Sequence, residues 1–177
     1  MDTRTVLLDD FGRLDALRRS GLLDSPAEEA FDRLTRTAAK LLGAPVSLVS
    51  LVDGERQFFK SALGLSEPWA SARQTPLSHS FCQYVVTSGA PLVVGDATQH
   101  PLVSGNQAIA DLGVIAYLGM PLTVRGGETL GSFCVIDSRE REWTVDEIAT
   151  MQDLCASVTA EIEVRIQLDE LGRLKAE

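Results

Sequence analysis

Val46-Ser47-Leu48-Val49-Ser50-Leu51-Val52 runs into Asp53-Gly54 and then into Glu55-Arg56-Gln57-Phe58-Phe59-Lys60-Ser61-Ala62-Leu63. The first run is strand-length and rich in β-branched residues. Asp-Gly suits a two-residue hairpin turn, whose central positions both need positive φ. The stretch therefore predicts two antiparallel strands, 46–52 and 55–63. Working outward, Ile115 to Val124 and Thr129 to Asp137 form a second hairpin through Gly126-Gly127, and Leu92 to Val94 make a short strand. Strands that arrive in hairpins, with helices before, between and after them, give an α+β fold: a mostly antiparallel sheet covered by helices.

The flanking segments supply those helices. Leu7, Phe11, Leu14 and Leu17 recur at spacings of four and three, so one helix is expected over 5–19, ended by Gly21. Ser25-Pro26-Ala27-Glu28 reads as a capping box that starts a second helix, closed by Gly43. The stretch 64–75 reads as a loop. Ser78 is expected to cap a helix through Thr87, and Gln107 to Leu112 make a short one. Thr144-Val145-Asp146-Glu147 is a further capping box, followed by about 30 residues without proline, far above the mean helix of roughly 11 to 12. Ile148, Met151, Cys155, Val158 and Ile162 alternate three and four like a coiled-coil seam.

Composition narrows the function. The 177 residues carry a net charge of −9, a field that repels phosphate backbones and anionic headgroups, so neither nucleic acid nor a membrane surface is an expected partner. No apolar run reaches the roughly 20 residues of a membrane span and no secretory signal opens the chain, so a cytoplasmic protein is expected. Cys82, Cys134 and Cys155 cannot all pair and lie in apolar runs, which reads as reduced thiols. Walker, dinucleotide-binding, zinc-protease and nucleophile-elbow motifs are absent. With only His79 and His100, neither a metal site nor imidazole catalysis is expected.

Several stretches, in order and with their spacing, resemble a bacterial GAF domain: Arg56-Gln57-Phe58-Phe59-Lys60-Ser61, Ser80-Phe81-Cys82, Pro91-Leu92-Val93-Val94-Gly95-Asp96-Ala97, Gly119-Met120-Pro121-Leu122 and Leu130-Gly131-Ser132-Phe133-Cys134-Val135-Ile136-Asp137. The resemblance covers nearly the whole chain. It implies a PAS-like fold with a central antiparallel sheet of about six strands and long terminal helices. It further implies a small-molecule pocket between one sheet face and the 66–112 region, and a parallel homodimer through the terminal helices. The bilin-binding branch places a histidine after its attachment cysteine, whereas Cys82 is followed by Gln83. The cyclic-nucleotide signature is missing, and the cysteine-bearing stretch of the free methionine sulfoxide reductases is replaced by Asp96-Ala97-Thr98-Gln99-His100-Pro101.

The expectation is thus a non-catalytic sensory module: a helix over 1–24, the GAF domain over 25–162 and a projecting signalling helix over 163–177, acting on an effector domain or partner. Its ligand and any cofactor are unnamed. The expected ligand-lining residues are Phe59, Trp69, Phe81, Cys82, Tyr117 and Cys134, with Asp96 or His100 at the polar edge. The expected dimer contacts are Leu7, Phe11, Leu14 and Leu17 with Met151, Val158 and Ile162. A thiol-dependent reductase and a haem sensor ligated by His79 or His100 are the alternatives.

Overall fold

The computed structural model describes residues 2–177. Its elements are α1 (Thr3–Leu8), α2 (Phe11–Ser20), α3 (Glu29–Leu42), β1 (Val46–Val52), β2 (Arg56–Leu63), α4 (Trp69–Ala72), β3 (Gln74–Pro76), α5 (Cys82–Ser88), β4 (Leu92–Val94), α6 (Ala108–Leu112), β5 (Ala116–Thr123), β6 (Thr129–Asp137) and α7 (Val145–Ala176). Short 3₁₀ turns at Leu77–His79 and Ala97–Gln99 precede α5 and α6. The strands form one antiparallel sheet in the order β3-β2-β1-β6-β5-β4.

Strand alternation divides the interior into two cores. Val49, Leu51, Phe58, Leu118, Phe133 and Val135 face α2, α3 and α7. Leu48, Val52, Phe59, Tyr117, Cys134 and Ile136 face α1, α5 and α6. The phase is kept through a bulge where Val49 pairs with Ser61 and Ser50 with Phe59, leaving Lys60 as the extra residue of β2.

Several local expectations are corrected. The N-terminal helix is two helices, because the Asp10 carboxylate accepts from the Arg13 backbone N–H at 3.0 Å and starts a new one. The first hairpin turns one residue later than expected, since Asp53 N–H already donates to Arg56 C=O at 3.0 Å. The box at Ser25 does not form. Its hydroxyl donates to Leu22 C=O and accepts from Lys60 Nζ, and α3 begins at Glu29. Ser78 does not cap α5: Phe81 holds the N-cap position, and it is the Ser80 hydroxyl that accepts from Gln83 N–H at 3.2 Å. The box at Thr144 is present and α7 is 32 residues long.

The expected dimer seam is also corrected. Leu17, Met151, Val158 and Ile162 are buried in the chain's own core, packed under the sheet, so they are not available to a second copy. A three-four alternation marks a buried helix face whichever surface covers it. Leu14 is half-buried, and Leu7 and Phe11 are exposed. Beyond Val145 in its first turn, the exposed large apolar residues of α7 are Val164, Leu168, Leu171 and Leu174, in a different phase from the buried set.

Candidate functional site

The face of the sheet toward α5 carries a buried polar network. Ser50 of β1 sits opposite Ser132 of β6, and both point with Cys134 and Tyr117 toward the first turn of α5. The Tyr117 hydroxyl donates to Cys82 Sγ at 3.2 Å and lies 2.9 Å from Ser132 Oγ. Its ring lies over Gly119, where any Cβ would overlap the phenol and Ser132. Gln57 ties the network to the loop before α5. Its Oε1 accepts from Ser50 Oγ at 3.1 Å and Ser80 Oγ at 2.8 Å, and its amide donates to Thr75 Oγ1 and to His79 C=O.

The two thiols within this network differ in acidity. A hydrogen bond from Cys134 lowers the Cys82 pKa to about 7, against the opposing effect of burial and with help from Tyr117, Ser50 and Ser132. Burial and the neighbouring Cys82 push Cys134 well up, and burial does the same to the Tyr117 hydroxyl. The pair therefore releases one proton far more easily than the second. The free space among Phe81, Cys82, Tyr117, Leu48 and Ile136 is about 20 Å³, room for about one water.

The expected ligand-lining residues divide into two groups. Phe59, Phe81, Cys82, Tyr117 and Cys134 meet in one buried cluster, where the Phe81 and Tyr117 rings lie 5.4 Å apart. Trp69 is half-buried in α4 and stacks on His79 instead. Asp96 accepts from Thr98 N–H and Oγ1–H, and His100 Nδ1 accepts from Leu102 N–H. Neither joins the thiol network. His79 is engaged at both ring nitrogens, with Ser78 Oγ at 2.8 Å and Asp111 at 2.7 Å. Among the described residues no group of three His, Cys, Asp or Glu is arranged to hold a metal.

Sequence reading missed Ser50, Gln57 and Ser80. The signal available was a small hydroxyl residue inside an otherwise apolar strand, which needs a buried partner. It also missed a buried charge cluster on the opposite face. Lys60 is fully buried; its Nζ donates to Ser25 Oγ at 2.8 Å and Pro26 C=O at 2.5 Å and pairs with Glu28 at 2.5 Å. Arg165 of α7 grips the same Glu28 at 2.5 Å, and the Phe31 ring lies under both cations. Burial tends to raise the Glu28 pKa, and Lys60 and Arg165 more than offset it, holding the carboxyl below its usual range.

Comparison with known proteins places this architecture. The sequence profile of the GAF domain matches residues 26–162. A cyclic di-GMP phosphodiesterase of Pseudomonas aeruginosa is 31% identical over 156 residues, covering 87% of this chain and 26% of that protein, so the chain spans about a quarter of that relative. The GAF domain of an Acinetobacter phosphoenolpyruvate-protein phosphotransferase superposes with a TM-score of 0.65 at 17% identity, over 91% of this chain and 99% of that one. A domain of a putative two-component sensor histidine kinase from Sinorhizobium meliloti 1021 superposes at 0.64 with 20% identity, over 82% of this chain and 97% of that one.

Proposed function

The chain belongs to the GAF domain family, and from that premise we propose that it is a non-catalytic cytoplasmic sensory module whose output leaves through α7. Residues 25–162 form its sensing body, with the helices of 1–24 packed on it and 163–177 projecting toward an effector domain or partner. The observation that carries this reading is the sharing of strands. β1, β5 and β6 alternate their side chains between the thiol network and the core under α7, so a shift on one face moves side chains on the other. A small molecule would bind among Phe59, Phe81, Cys82, Tyr117 and Cys134 by displacing α5 or α6, because 20 Å³ admits no metabolite. A parallel homodimer would form through Leu7 and Phe11 with Val164, Leu168 and Leu171, the apolar positions left free.

Light scattering tests the dimer, with Leu168→Asp and Leu171→Asp expected to give folded monomers. Native mass spectrometry of freshly purified protein tests the pocket. A mass shift that disappears in Phe81→Ala and persists in a surface control supports this reading; identical bare spectra and no thermal shift across a metabolite screen overturn it. The lowered pKa of Cys82 beside Cys134 favours a thiol-dependent reductase as the second reading. That reading requires NADPH consumption with a thioredoxin system and free methionine sulfoxide, lost in Cys82→Ser and Cys134→Ser.

A further inference from the structure

A larger cavity lies on the outer side of α5, away from the sheet. It measures about 380 Å³, within the range of small-molecule sites, between α1, the Leu77–Tyr84 segment and the loop 102–107. It is separate from the thiol network. Cys82, Val85 and Val86 turn toward the sheet, while Gln83 and Tyr84 line this cavity.

Two groups define what it can hold. Gln83 is 4% exposed, and its amide nitrogen donates to Leu77 C=O at 2.5 Å and Ser80 C=O at 2.7 Å. Those two carbonyls fix the amide orientation, because only the NH₂ end can satisfy them. Gln83 Oε1 accepts no hydrogen bond from the described residues and is not sealed off by protein, which leaves it an open acceptor in the cavity wall. On the α1 wall, the Arg4 guanidinium lies over the Tyr84 ring at 5.0 Å and pairs with the exposed Asp2 at 3.4 Å. Leu8, Leu77 and Leu102 provide the apolar surface between them.

We propose that this cavity binds an amino acid or dipeptide with an apolar side chain, its carboxylate on Arg4 and its N–H donor on Gln83 Oε1. Among the described residues Arg4 is the only cation in the lining, and it already shares Asp2. One cation matches a single carboxylate and leaves a multiply charged phosphate under-neutralised. A zwitterion supplies both the anion for Arg4 and the donor for Gln83. Because α1 forms one wall, occupancy would also fasten the N-terminal helix to α5.

The test is a titration of the full chain with L-leucine and with L-alanyl-L-leucine, followed by calorimetry and by amide NMR shifts. Saturable binding is expected, with shifts at Arg4, Gln83 and Tyr84 and none at Cys134. Isocaproate, which lacks the ammonium, and isoamylamine, which lacks the carboxylate, should each bind at least tenfold more weakly. Arg4→Gln, at a half-exposed position, should cost at least tenfold in affinity with the circular dichroism unchanged. Gln83→Leu should do the same; if it fails to fold, Arg4→Gln and the two analogues decide. No saturable binding of either probe, or an analogue that binds as tightly as L-leucine, or affinity that survives Arg4→Gln, overturns the proposal. The outcome is independent of the sheet-facing site, which variants at Phe81 report.

Discussion

Strand β6 puts Phe133 and Val135 on the face covered by α2, α3 and α7, and Ser132, Cys134 and Ile136 on the face covered by α5. The same backbone thus serves two interiors of different chemistry. On the α7 face the sheet side chains are nearly all aliphatic or aromatic, and the charged side chain that the sheet buries there, Lys60, is matched at the edge by Glu28. On the α5 face the side chains of Ser50, Gln57, Tyr117, Ser132 and Cys82 satisfy one another without a charged partner. A dry core is cohesive and specified by volume, whereas a network of neutral hydrogen bonds has other partners to offer when a ligand or water enters. The α5 face is therefore the one built to rearrange, and the α7 face the one built to move as a unit.

The sharpest way to break this comparison is a charge in the dry core. Val158 and Ile162 are both 0% exposed, so Val158→Asp or Ile162→Asp should cost more than about 4 kcal/mol and leave the chain unfolded in circular dichroism. A folded protein with altered oligomeric state would instead show that this side of α7 is free. Ser132→Ala on the other face should cost about 1 kcal/mol.

Next in size is the charge cluster at the edge of the dry core. Glu28→Ala strands Lys60, and a cost of about 2 kcal/mol is expected once the solvent access of Glu28 is discounted. Lys60→Met removes the buried charge itself and should stay within about 1 kcal/mol of the parent in urea unfolding. The Glu28 carboxyl is held below its usual range, so its contribution is present above the unfolded carboxylate pKa and is lost as pH falls through the lower folded value. Glu28→Gln should flatten that acid limb, and an unchanged limb would show that the pair is idle.

This cluster also marks where sequence reading runs out. The αL glycines at Gly21, Gly43 and Gly89 and the Thr144 box are local and appear where the residues put them, and the first hairpin is displaced by only one residue. The Ser25 box failed because Lys60, 35 residues away, recruits its hydroxyl and Glu28 both; no local pattern contains that partner. The seam on α7 was legible as apolar, but periodicity does not say whether a sheet or a second helix covers it. On the α5 face the large residues Phe59, Phe81 and Tyr117 were legible. That they fill the space, with Gly119 letting the phenol lie flat, depends on side-chain packing across three strands.

A smaller change probes the network alone. Tyr117→Phe removes one hydroxyl from between Cys82 and Ser132, with an expected cost of about 1 kcal/mol. Because that hydroxyl donates to the Cys82 sulfur, its loss should raise the Cys82 pKa in the folded protein and move the onset of thiolate ultraviolet absorbance to higher pH. An onset that does not move would remove Tyr117 from the network.

The thiols give the smallest effect and the most direct contrast between the faces. Cys155 of α7 lies in the dry core, and burial pushes its pKa from 9.0 to about 11, with Thr159 opposing only in part. The fold favours the neutral thiol there, so the stability it carries is complete below the unfolded pKa and is lost as pH rises toward 11. Cys82 runs the other way. Its folded pKa of about 7 lies below the unfolded value, so its contribution is present at alkaline pH and is lost as pH falls through 7. Between pH 9 and pH 10 the parent should therefore lose about 1 kcal/mol through Cys155, a loss absent in Cys155→Ala and retained in Cys82→Ser. Urea unfolding of the three proteins across that interval measures it. Equal alkaline slopes in the parent and in Cys155→Ala would mean that the α7 face opens to solvent as readily as the α5 face, and the division of labour between them would fall.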